Sequence, residues 1–429
     1  MIRAVRADRD IAVPGCADVV IVGAGAAGLM CAISAGRAAE VMGVRKRIVV
    51  LDGAGKVGVK ILVAGGGRCN VTHERVIPKD YNGSSAGSIK KVLSRFGVED
   101  TVRFFRELGV ELKREETGKL FPVTDDAHTV LDALLGAVRD AGATIHHPCK
   151  VRAVEDDGEG GFVVRGDWGE IRAGKVVLAT GGKALPKSGS DGSGYPIVEA
   201  LGHTVTGVIA PALVPLVIEG EHFVKGLSGI AHDARVEVRA STGKRLASTT
   251  GALLCTHFGL SGPAILDISR HLTWARVEDE GAYLTIGFVH DRGEDELDAA
   301  LSGLGKRTVG RFVRELLPER LADALCVDVG VDPSTKGAEL KREARRALVL
   351  ALTGLRVPVA RDRGYTHAEV TMGGVPMREV DPSTMGSRVR AGLYLIGEIL
   401  DVDGRIGGFN FQWAWAGGMI AGRACVGVD

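Results

Sequence analysis

Three glycines near the start of the chain have the spacing of a nucleotide-binding turn. Gly23, Gly25 and Gly28 follow the strand-like residues 18–22 and precede small residues that favour a helix. The first glycine permits a tight turn, the second lets the backbone approach a pyrophosphate, and the third lets the helix pack closely on the strand. Asp52 ends the next β-branched run, where a carboxylate can accept hydrogen bonds from a ribose. The pattern predicts a dinucleotide site, without deciding between FAD and NAD.

A second glycine-rich stretch, 60–72, contains three successive glycines followed by Arg68, Cys69 and Asn70. Such a run suits a loop against a flat ring or a phosphate, with Arg68 supplying positive charge. A solvent loop with an unrelated arginine is the structural alternative. Cys69 is either a thiol beside the ligand or a small packing residue. The candidate ligand contacts of this stretch are Lys60, Gly65, Gly66, Gly67, Arg68, Cys69 and Asn70.

Two later strands also contribute candidate contacts. The strand-like run 176–178 leads into Ala179, Thr180 and Gly181, and Val151 begins another short strand that could line an adenine ring. An ordinary strand followed by a turn explains the first of these equally well when it is considered alone.

The last part of the chain carries a second set of glycines before a helix that starts near residue 411. The N-terminus of a helix presents free N–H groups and partial positive charge, which would stabilise a reduced flavin from its pyrimidine side. One nucleotide site assembled from both chain ends is typical of large FAD enzymes. The candidate contacts here are Gly397, Glu398, Asp401, Gly407, Gly408 and Asn410.

His257 lies in the densest polar cluster of the middle region, residues 251–263. It is a candidate acid, base or hydrogen-bond donor to a carbonyl group, or else a structural histidine. No zinc-protease or serine-hydrolase motif is present, and the adjacent His146 and His147 lack ligand spacing, so no metal site is predicted.

The composition excludes several classes of function. A net charge of +1 favours neither nucleic acid nor an anionic membrane as a partner. Seven cysteines without a C-x-x-C pair indicate reduced thiols in a cytoplasmic protein. The first ten residues lack the apolar core of a signal peptide, and no apolar run is long enough to span a membrane. We therefore expect a small-molecule substrate, no nucleic-acid or membrane partner and cytoplasmic location; the oligomeric state is open.

The elements that must position these residues are predicted to form an α/β fold. Residues 18–52 have the pattern of a βαβ unit, and the chain becomes β-rich near residue 204. Amphipathic helices are expected over about 294–327 and 336–353, after which Gly-bounded strands return. The predicted division is a discontinuous Rossmann-type domain (1–203 and 364–429), a β-rich insertion (204–290 and 354–363) and a helical insertion (291–353).

The chain resembles the BaiN/YhiN-like family of FAD-dependent oxidoreductases, also labelled the aminoacetone oxidase family. The resemblance is carried, in order, by Asp18–Gly28, Lys60–Thr72, Leu178–Gly194, Thr256–Pro263, Val370–Val375, Thr384–Met385 and Gly397–Asn410. It implies a Rossmann-type FAD domain with a β-barrel-like insertion and a helical insertion. It also implies FAD contacts at Gly23, Gly25, Ala26, Ala27, Gly28, Asp52, Gly65–Gly67, Arg68, Asn70, Val151, Thr180, Gly181, Glu398, Asp401, Gly408 and Asn410.

Catalytic residues are not well defined in that family, so Arg68 and His257 are the catalytic candidates. The family usually has glutamate where this chain has Asp52, which is a mild departure.

Three functions follow as hypotheses. The first is reduction of an activated C=C bond in a small hydrophobic carbonyl compound, driven by NADH or NADPH that binds transiently, since no second dinucleotide motif is present. The second is an oxidase of small amines or amino ketones that releases hydrogen peroxide. The third is a non-catalytic flavin-binding regulator or RNA-associated protein, which the near-neutral charge disfavours.

Overall fold

A computed structural model describes residues 12–428 of the chain. The N-terminal residues, where the sequence predicts no signal peptide, lie outside the described part. The chain divides into two compact units, the first formed by residues up to Ile209 together with those from Val370, and the second by Ala210–Glu369. Both ends of the described chain therefore belong to one unit. The finer three-part division stays a prediction.

The first unit is built on a seven-stranded sheet with a parallel core. Cys16–Val22 pairs in parallel with Ile48–Leu51 on one side and Gly169–Leu178 on the other. Residues 19–22 are buried because helices cover both faces of a parallel sheet. The strand order is Thr144–His146, Ile48–Leu51, Cys16–Val22, Gly169–Leu178, Phe162–Gly166 and Val151–Asp156, with Leu393–Leu395 also pairing with Gly169–Leu178. This sheet confirms the predicted α/β, Rossmann-type fold.

The first and last helices of this unit pack in backbone contact. A Cβ atom added at Gly418 would lie 2.5 Å from the Ala27 carbonyl oxygen, and one at Gly422 would lie 2.5 Å from that of Cys31. Glycine is therefore required at both positions. The helices of the unit are Ala26–Val41, Val59–Gly67, Ala86–Leu93, Val98–Glu107, Ala127–Asp140, Gly194–Ala200 and Phe409–Cys425.

Shorter elements complete the first unit. The short strands are Thr72–His73, Tyr81–Gly83, Leu112–Arg114, Lys119–Pro122, Val370–Met372 and Val402–Gly404. The 3₁₀ turns are Pro78–Asp80, Pro186–Ser188, Met377–Glu379 and Gly397–Ile399.

The second unit contains a second seven-stranded sheet. Its two edge strands, Leu355–Val357 and Val359–Asp362, follow one another in the chain with only Pro358 between them. A sheet whose opposite edges are joined this closely must curl, which gives the barrel-like form that the resemblance implies. The order is Leu355–Val357, Tyr283–Gly287, Ala231–Arg239, Arg245–Thr256, Gly259–Ser261, Leu216–Ile218 and Val359–Asp362; Ala210–Ala212 is a further strand of this unit.

A helix that the sequence analysis did not predict, Pro263–Glu278, lies within the segment expected to be β-rich. Proline at its first position presets a helical φ, and Ile265, Ile268 and Leu272 are buried along one face. The other helices of this unit are Phe223–Gly226, Glu294–Ser302, Val309–Arg314, Glu319–Asp328 and Arg342–Gly354, and a 3₁₀ turn covers Gly337–Glu339.

Three general features concern residues 12–428. None of the helices there has both the length and the apolarity needed to cross a membrane. No three His, Cys, Asp or Glu side chains in that range are grouped so as to hold a metal ion. All seven cysteines are free thiols.

Candidate functional site

The turn after the first strand contains the three glycines of the predicted nucleotide turn. Gly23 has a φ of +106°, and a Cβ atom there would lie 2.4 Å from the Ala179 carbonyl oxygen. A Cβ atom on Gly28 would lie 1.9 Å from the carbonyl oxygen of Gly23. A Cβ atom on Gly25, in contrast, would meet no atom within 4 Å. The turn is thus closed towards the protein and open at Gly25, where Ala26 and Ala27 begin the helix.

Asp52 is anchored beside this turn. Its carboxylate accepts a hydrogen bond from Ala24 N at 2.6 Å and another from Ala54 N at 2.7 Å, one on each oxygen. Burial raises the pKa of this carboxyl group, and the two N–H groups partly offset the rise. Each oxygen retains a lone pair, so the carboxylate can still accept ribose hydroxyl groups.

The neighbourhood of Asp52 contains polar groups that the sequence analysis missed. Lys150 Nζ lies 2.7 Å from Asp191 Oδ2, and it donates to Ser193 Oγ at 2.6 Å. Val151, the predicted adenine contact, follows Lys150 and is buried at the start of its strand. In the sequence, the one indication of Lys150 is that it directly precedes Val151, which is a weak signal for a site residue.

The strand Gly169–Leu178 is followed by Ala179 and Thr180, and the hydroxyl group of Thr180 has an unusual environment. Ala179 N donates to the Val22 carbonyl oxygen at 2.8 Å, which joins this end to the first strand. The Thr180 hydroxyl is buried and has no hydrogen-bond partner among the described residues. Gly181 follows with a φ of +72°. A buried hydroxyl without a partner requires one from a ligand group or a water molecule.

The triple-glycine stretch is partly helical, which corrects the expectation of a loop from residue 60. The helix Val59–Gly67 is regular only in its first turns, because Ala64 has a ψ of 142° and both Gly65 and Gly66 have positive φ. Gly67 also has a positive φ of 88°. Apolar residues before the glycines sustain the helix, and the glycines then permit a left-handed turn that other residues rarely adopt.

Lys60, on the helical part of this stretch, contacts a residue from the other end of the chain. Its Nζ atom lies 2.6 Å from Glu398 Oε2. The other oxygen of Glu398 accepts hydrogen bonds from Thr371 N at 3.0 Å and Thr371 Oγ1 at 2.8 Å. Thr371 was not a predicted site residue. Its hydroxyl also accepts from Lys183 N at 2.7 Å, which only the folded chain reveals.

Arg68 is held by carboxylates. Its Nη1 atom lies 2.6 Å from Glu115 Oε1 and 3.6 Å from Asp125 Oδ1, and its guanidinium group stands 4.0 Å from the centre of the Phe121 ring. The hydrogen bond to Glu115 raises the pKa of Arg68. The arginine is therefore charged and already paired, so an action on a substrate requires it to exchange this partner.

Cys69 and Asn70 have internal roles. Burial raises the pKa of Cys69 to about 12, so its thiol is protonated at neutral pH. The Asn70 amide, in the orientation that satisfies its neighbours, donates to the Thr72 carbonyl oxygen at 2.9 Å and accepts from Gly408 N at 3.1 Å. The predicted loop and the C-terminal glycines are thus connected.

The C-terminal glycines begin the last helix. Gly407 and Gly408 both have positive φ, and a Cβ atom on Gly408 would lie 2.6 Å from the backbone of Thr72. Asn410 Oδ1 accepts a hydrogen bond from Gly404 N at 2.8 Å, and Asn410 Nδ2 donates to the Gly404 carbonyl oxygen at 3.0 Å. The side chain of Asn410 therefore forms hydrogen bonds within its own loop.

The segment that contains the remaining C-terminal candidates is held by backbone and indole contacts. Trp413 Nε1 donates to the Gly397 carbonyl oxygen at 3.3 Å, and Asp401 N donates to that of Val375 at 2.8 Å. A Cβ atom on Gly397 would lie 3.0 Å from Ala27 Cβ. The Gly397–Glu398 turn therefore reaches the first helix at the nucleotide turn.

His257, the other catalytic candidate, belongs to the second unit. It lies in the turn between Arg245–Thr256 and Gly259–Ser261 and is exposed. Its ring packs edge-on against Phe258 at 5.1 Å, and no hydrogen bond or ion pair orients it within the described chain. A general base is usually oriented by a third group, and this histidine lacks one.

A sheet with a parallel core and a glycine turn directly after its first strand define a Rossmann-type fold, and the candidate nucleotide contacts come from both ends of the chain. The family described as "HI0933-like protein Rossmann domain" matches residues 17–424, and the chain belongs to this family. The resemblance to BaiN/YhiN-like proteins is thereby confirmed.

Curated relatives cover nearly the whole chain. A "3-dehydro-bile acid delta(4,6)-reductase" of Clostridium scindens is 35% identical over 94% of this chain and 98% of its own. A "Ribosomal RNA dihydrouridine synthase" of Escherichia coli is 34% identical over 93% of this chain and 95% of its own. A protein of the same name from Haemophilus influenzae is 33% identical over 92% of this chain and 95% of its own.

Among solved structures, a flavocytochrome c3 fumarate reductase in its open conformation matches with a TM-score of 0.50. It is 15% identical, and the match covers 96% of this chain and 78% of that one. At this identity the likeness concerns the fold alone.

Proposed function

We propose that this protein uses FAD to reduce a carbon–carbon double bond conjugated to a carbonyl group, with NADH or NADPH as the reductant. The observation that carries the proposal is the 35% identity, over 94% of the chain, to a reductase whose name specifies ring double bonds of a 3-oxo bile acid. Such a substrate is a hydrophobic carbonyl compound, the class that the sequence analysis favours.

The residues of the first unit fit FAD. The open space at Gly25 suits a pyrophosphate, and the free lone pairs of Asp52 suit the adenosine ribose. The Thr180 hydroxyl, buried without a partner in the described chain, can bond to a ligand group. When bound, FAD supplies a group that accepts a hydride from the nicotinamide and donates it to the substrate.

Reduction of a conjugated double bond requires a stabilised carbonyl oxygen. Hydride adds to the β-carbon, negative charge develops on the carbonyl oxygen, and a proton then reaches the α-carbon. A cationic donor near that oxygen lowers the barrier. Arg68 is the preferred candidate because it is charged and partly exposed, with a side-chain relative accessibility of 37%. His257 remains the alternative.

A second candidate substrate is uridine within RNA. Two relatives that are 34% and 33% identical are named ribosomal RNA dihydrouridine synthases. The double bond of the uracil ring is also conjugated to a carbonyl group, so the same chemistry serves both substrates. This candidate opposes the expectation, drawn from a net charge of +1, of no nucleic-acid partner.

Anaerobic stopped-flow spectroscopy tests the proposal. Mixing the FAD-loaded protein with NADH or NADPH is expected to bleach the flavin band at about 450 nm, and a conjugated enone is expected to restore it without oxygen. Reduction by a small amine, with peroxide release in air and no response to an enone, would support the oxidase instead. Bound FAD that none of these compounds reduces would support the non-catalytic alternative.

A further inference from the structure

Residues 189–194 of the first unit, called the strap below, lie against two of the predicted nucleotide contacts. A Cβ atom added at Gly189 would lie 3.8 Å from Asp52 Oδ1. One added at Gly194 would lie 2.0 Å from Thr180 Oγ1, the buried hydroxyl group that has no partner among the described residues. The strap therefore runs from the carboxylate expected to bind the ribose to a hydroxyl group that can bond to a ligand.

The middle of the strap lies beside two further predicted contacts. Lys60 Nζ lies 3.4 Å from Ser190 Oγ, and a Cβ atom added at Gly181 would lie 2.7 Å from the same oxygen. Gly192 N donates to the Gly182 carbonyl oxygen at 2.8 Å. Candidate nucleotide contacts from separate stretches of the chain thus border this one segment.

Lys150 attaches the strap to the sheet. Its Nζ atom lies 2.9 and 2.7 Å from the two carboxylate oxygens of Asp191, and it donates to Ser193 Oγ at 2.6 Å. The stem of Lys150 crosses Gly53, where an added Cβ atom would lie 2.5 Å from Lys150 Cδ. Lys150 therefore reaches from the residue after Asp52 to the strap.

Another ion pair of the same sheet has no such position. Arg165 Nε lies 2.9 Å from Glu170 Oε2, and both residues belong to neighbouring antiparallel strands. The side chain of Arg165 is 45% accessible, whereas that of Lys150 is 25% accessible. Because Lys150 is more shielded from water, its ion pair contributes more than an exposed one.

We propose that the strap closes the adenosine end of the FAD site and that the ion pair between Lys150 and Asp191 holds it closed. The inference rests on the FAD site of the proposed function. A ribose bound at Asp52 lies beside Gly189, so the strap must move before the nucleotide can leave. Opening the strap breaks the ion pair and the hydrogen bond to Ser193, which slows dissociation of FAD. Lys150 and Asp191 are positioning residues in this role.

The rate of FAD release from the full chain tests the inference. The FAD-loaded protein is diluted with excess ADP, which prevents rebinding, and the change in flavin fluorescence gives the dissociation rate. Lys150→Met and Asp191→Asn should each release FAD about three- to tenfold faster than wild type. The double variant should be no faster than the faster single variant, because both remove the same ion pair. The matched controls Arg165→Met and Glu170→Gln should stay within about twofold of wild type.

Salt provides a readout that a merely structural role would not change. Raising KCl from about 0.05 to about 0.5 M should accelerate FAD release from the wild-type protein, because salt screens a partly exposed ion pair. Asp191→Asn lacks this ion pair, so its release rate should respond much less. Asp191 is exposed and asparagine has the same shape, so this variant keeps the test valid even if Lys150→Met does not fold.

Equal release rates from wild type and Asp191→Asn would overturn the inference, and so would equal acceleration in Asp191→Asn and Glu170→Gln. The same salt response in wild type and Asp191→Asn would also contradict it. In these cases, FAD binding by the wild-type protein and bleaching by NADH or NADPH leave the proposed function standing. A folded wild-type protein that binds no FAD would overturn both proposals.

Discussion

The ammonium group of Lys60 lies 2.6 Å from the carboxylate of Glu398, although 338 residues separate them in the chain. Both side chains are partly buried, with relative accessibilities of 25% and 18%. Thr371 bonds the second oxygen of Glu398, so the carboxylate is held from two sides. This ion pair joins the triple-glycine stretch to the C-terminal part of the predicted nucleotide site.

Breaking this ion pair is expected to weaken both folding and FAD binding. Lys60→Met leaves a partly buried carboxylate without its cation, and Glu398→Gln leaves a partly buried ammonium group without its anion. Because this ion pair is intermediate between exposed and buried pairs, we expect each variant to lose about 1–2 kcal/mol in the free energy of unfolding. The double variant should lose less than the sum of the two. Urea denaturation and FAD titration measure both effects, and strictly additive losses would show that the two residues are not coupled.

Two glycines of the nucleotide turn should respond differently to substitution. Gly25→Val should abolish FAD binding and leave the apoprotein folded, because its side chain projects into open space. Gly28→Ala should destabilise the apoprotein by about 3 kcal/mol, because its Cβ atom would clash with the Gly23 carbonyl oxygen. Thermal unfolding of the apoproteins and flavin absorbance separate the two effects. A yellow, fully loaded Gly25→Val protein would contradict the nucleotide assignment.

Arg68 and His257 can be compared directly as catalytic candidates. Arg68→Gln should slow reoxidation of the reduced flavin by an enone about 10²–10³-fold, the usual cost of losing a donor to a developing oxyanion. His257→Gln should change the rate less than about threefold, since nothing in the described chain orients this exposed ring. Single-turnover stopped-flow measures both rates. The reverse ranking would assign the role to His257.

Glu115→Gln provides a complementary variant, because it removes the nearer of the two carboxylates that pair with Arg68 and leaves the guanidinium group in place. If Arg68 must exchange partners to act, KM for the enone should fall in this variant. A KM equal to that of wild type would indicate that the pairing with Glu115 does not compete with the substrate.

The buried thiol of Cys69 should make stability depend on alkaline pH. Its pKa is about 12 in the folded state against an ordinary value of 9.0. Above pH 9 the unfolded chain releases this proton and the folded chain retains it, so stability is intact below pH 9 and falls as pH rises towards 12. The fall is at most about 1.4 kcal/mol per pH unit from this group. Cys69→Ala should therefore show a shallower decline than wild type in urea denaturation between pH 8 and 10.5.

Alkylation provides an independent measure of the same burial. Iodoacetamide at pH 8 should label exposed Cys16 in the native protein and spare Cys69 until urea unfolds the chain. Rapid native labelling of Cys69, detected by peptide mass spectrometry, would contradict the buried environment described above.

Local motifs predicted a large part of the nucleotide turn. The roles of Gly23 and Gly28 depend on steric contacts that follow directly from a strand, a tight turn and a helix, so spacing alone indicates them. The helix Pro263–Glu278 was missed because its apolar residues lie in a segment rich in strand-forming residues. Lys60 was assigned to a loop because the three glycines after it obscure the helical turn before them.

By itself, the sequence determined the Rossmann-type fold and the residue types of the nucleotide turn, because these depend on interactions between near neighbours. The tertiary structure decided which distant groups meet. It placed Lys60 beside Glu398, and Thr371 donates a hydrogen bond to the same carboxylate. It also brought Asn410 into hydrogen-bonding contact with Gly404 and paired Arg68 with Glu115. Such contacts depend on how strands from both chain ends are arranged in one sheet, and spacing along the chain carries no record of that arrangement.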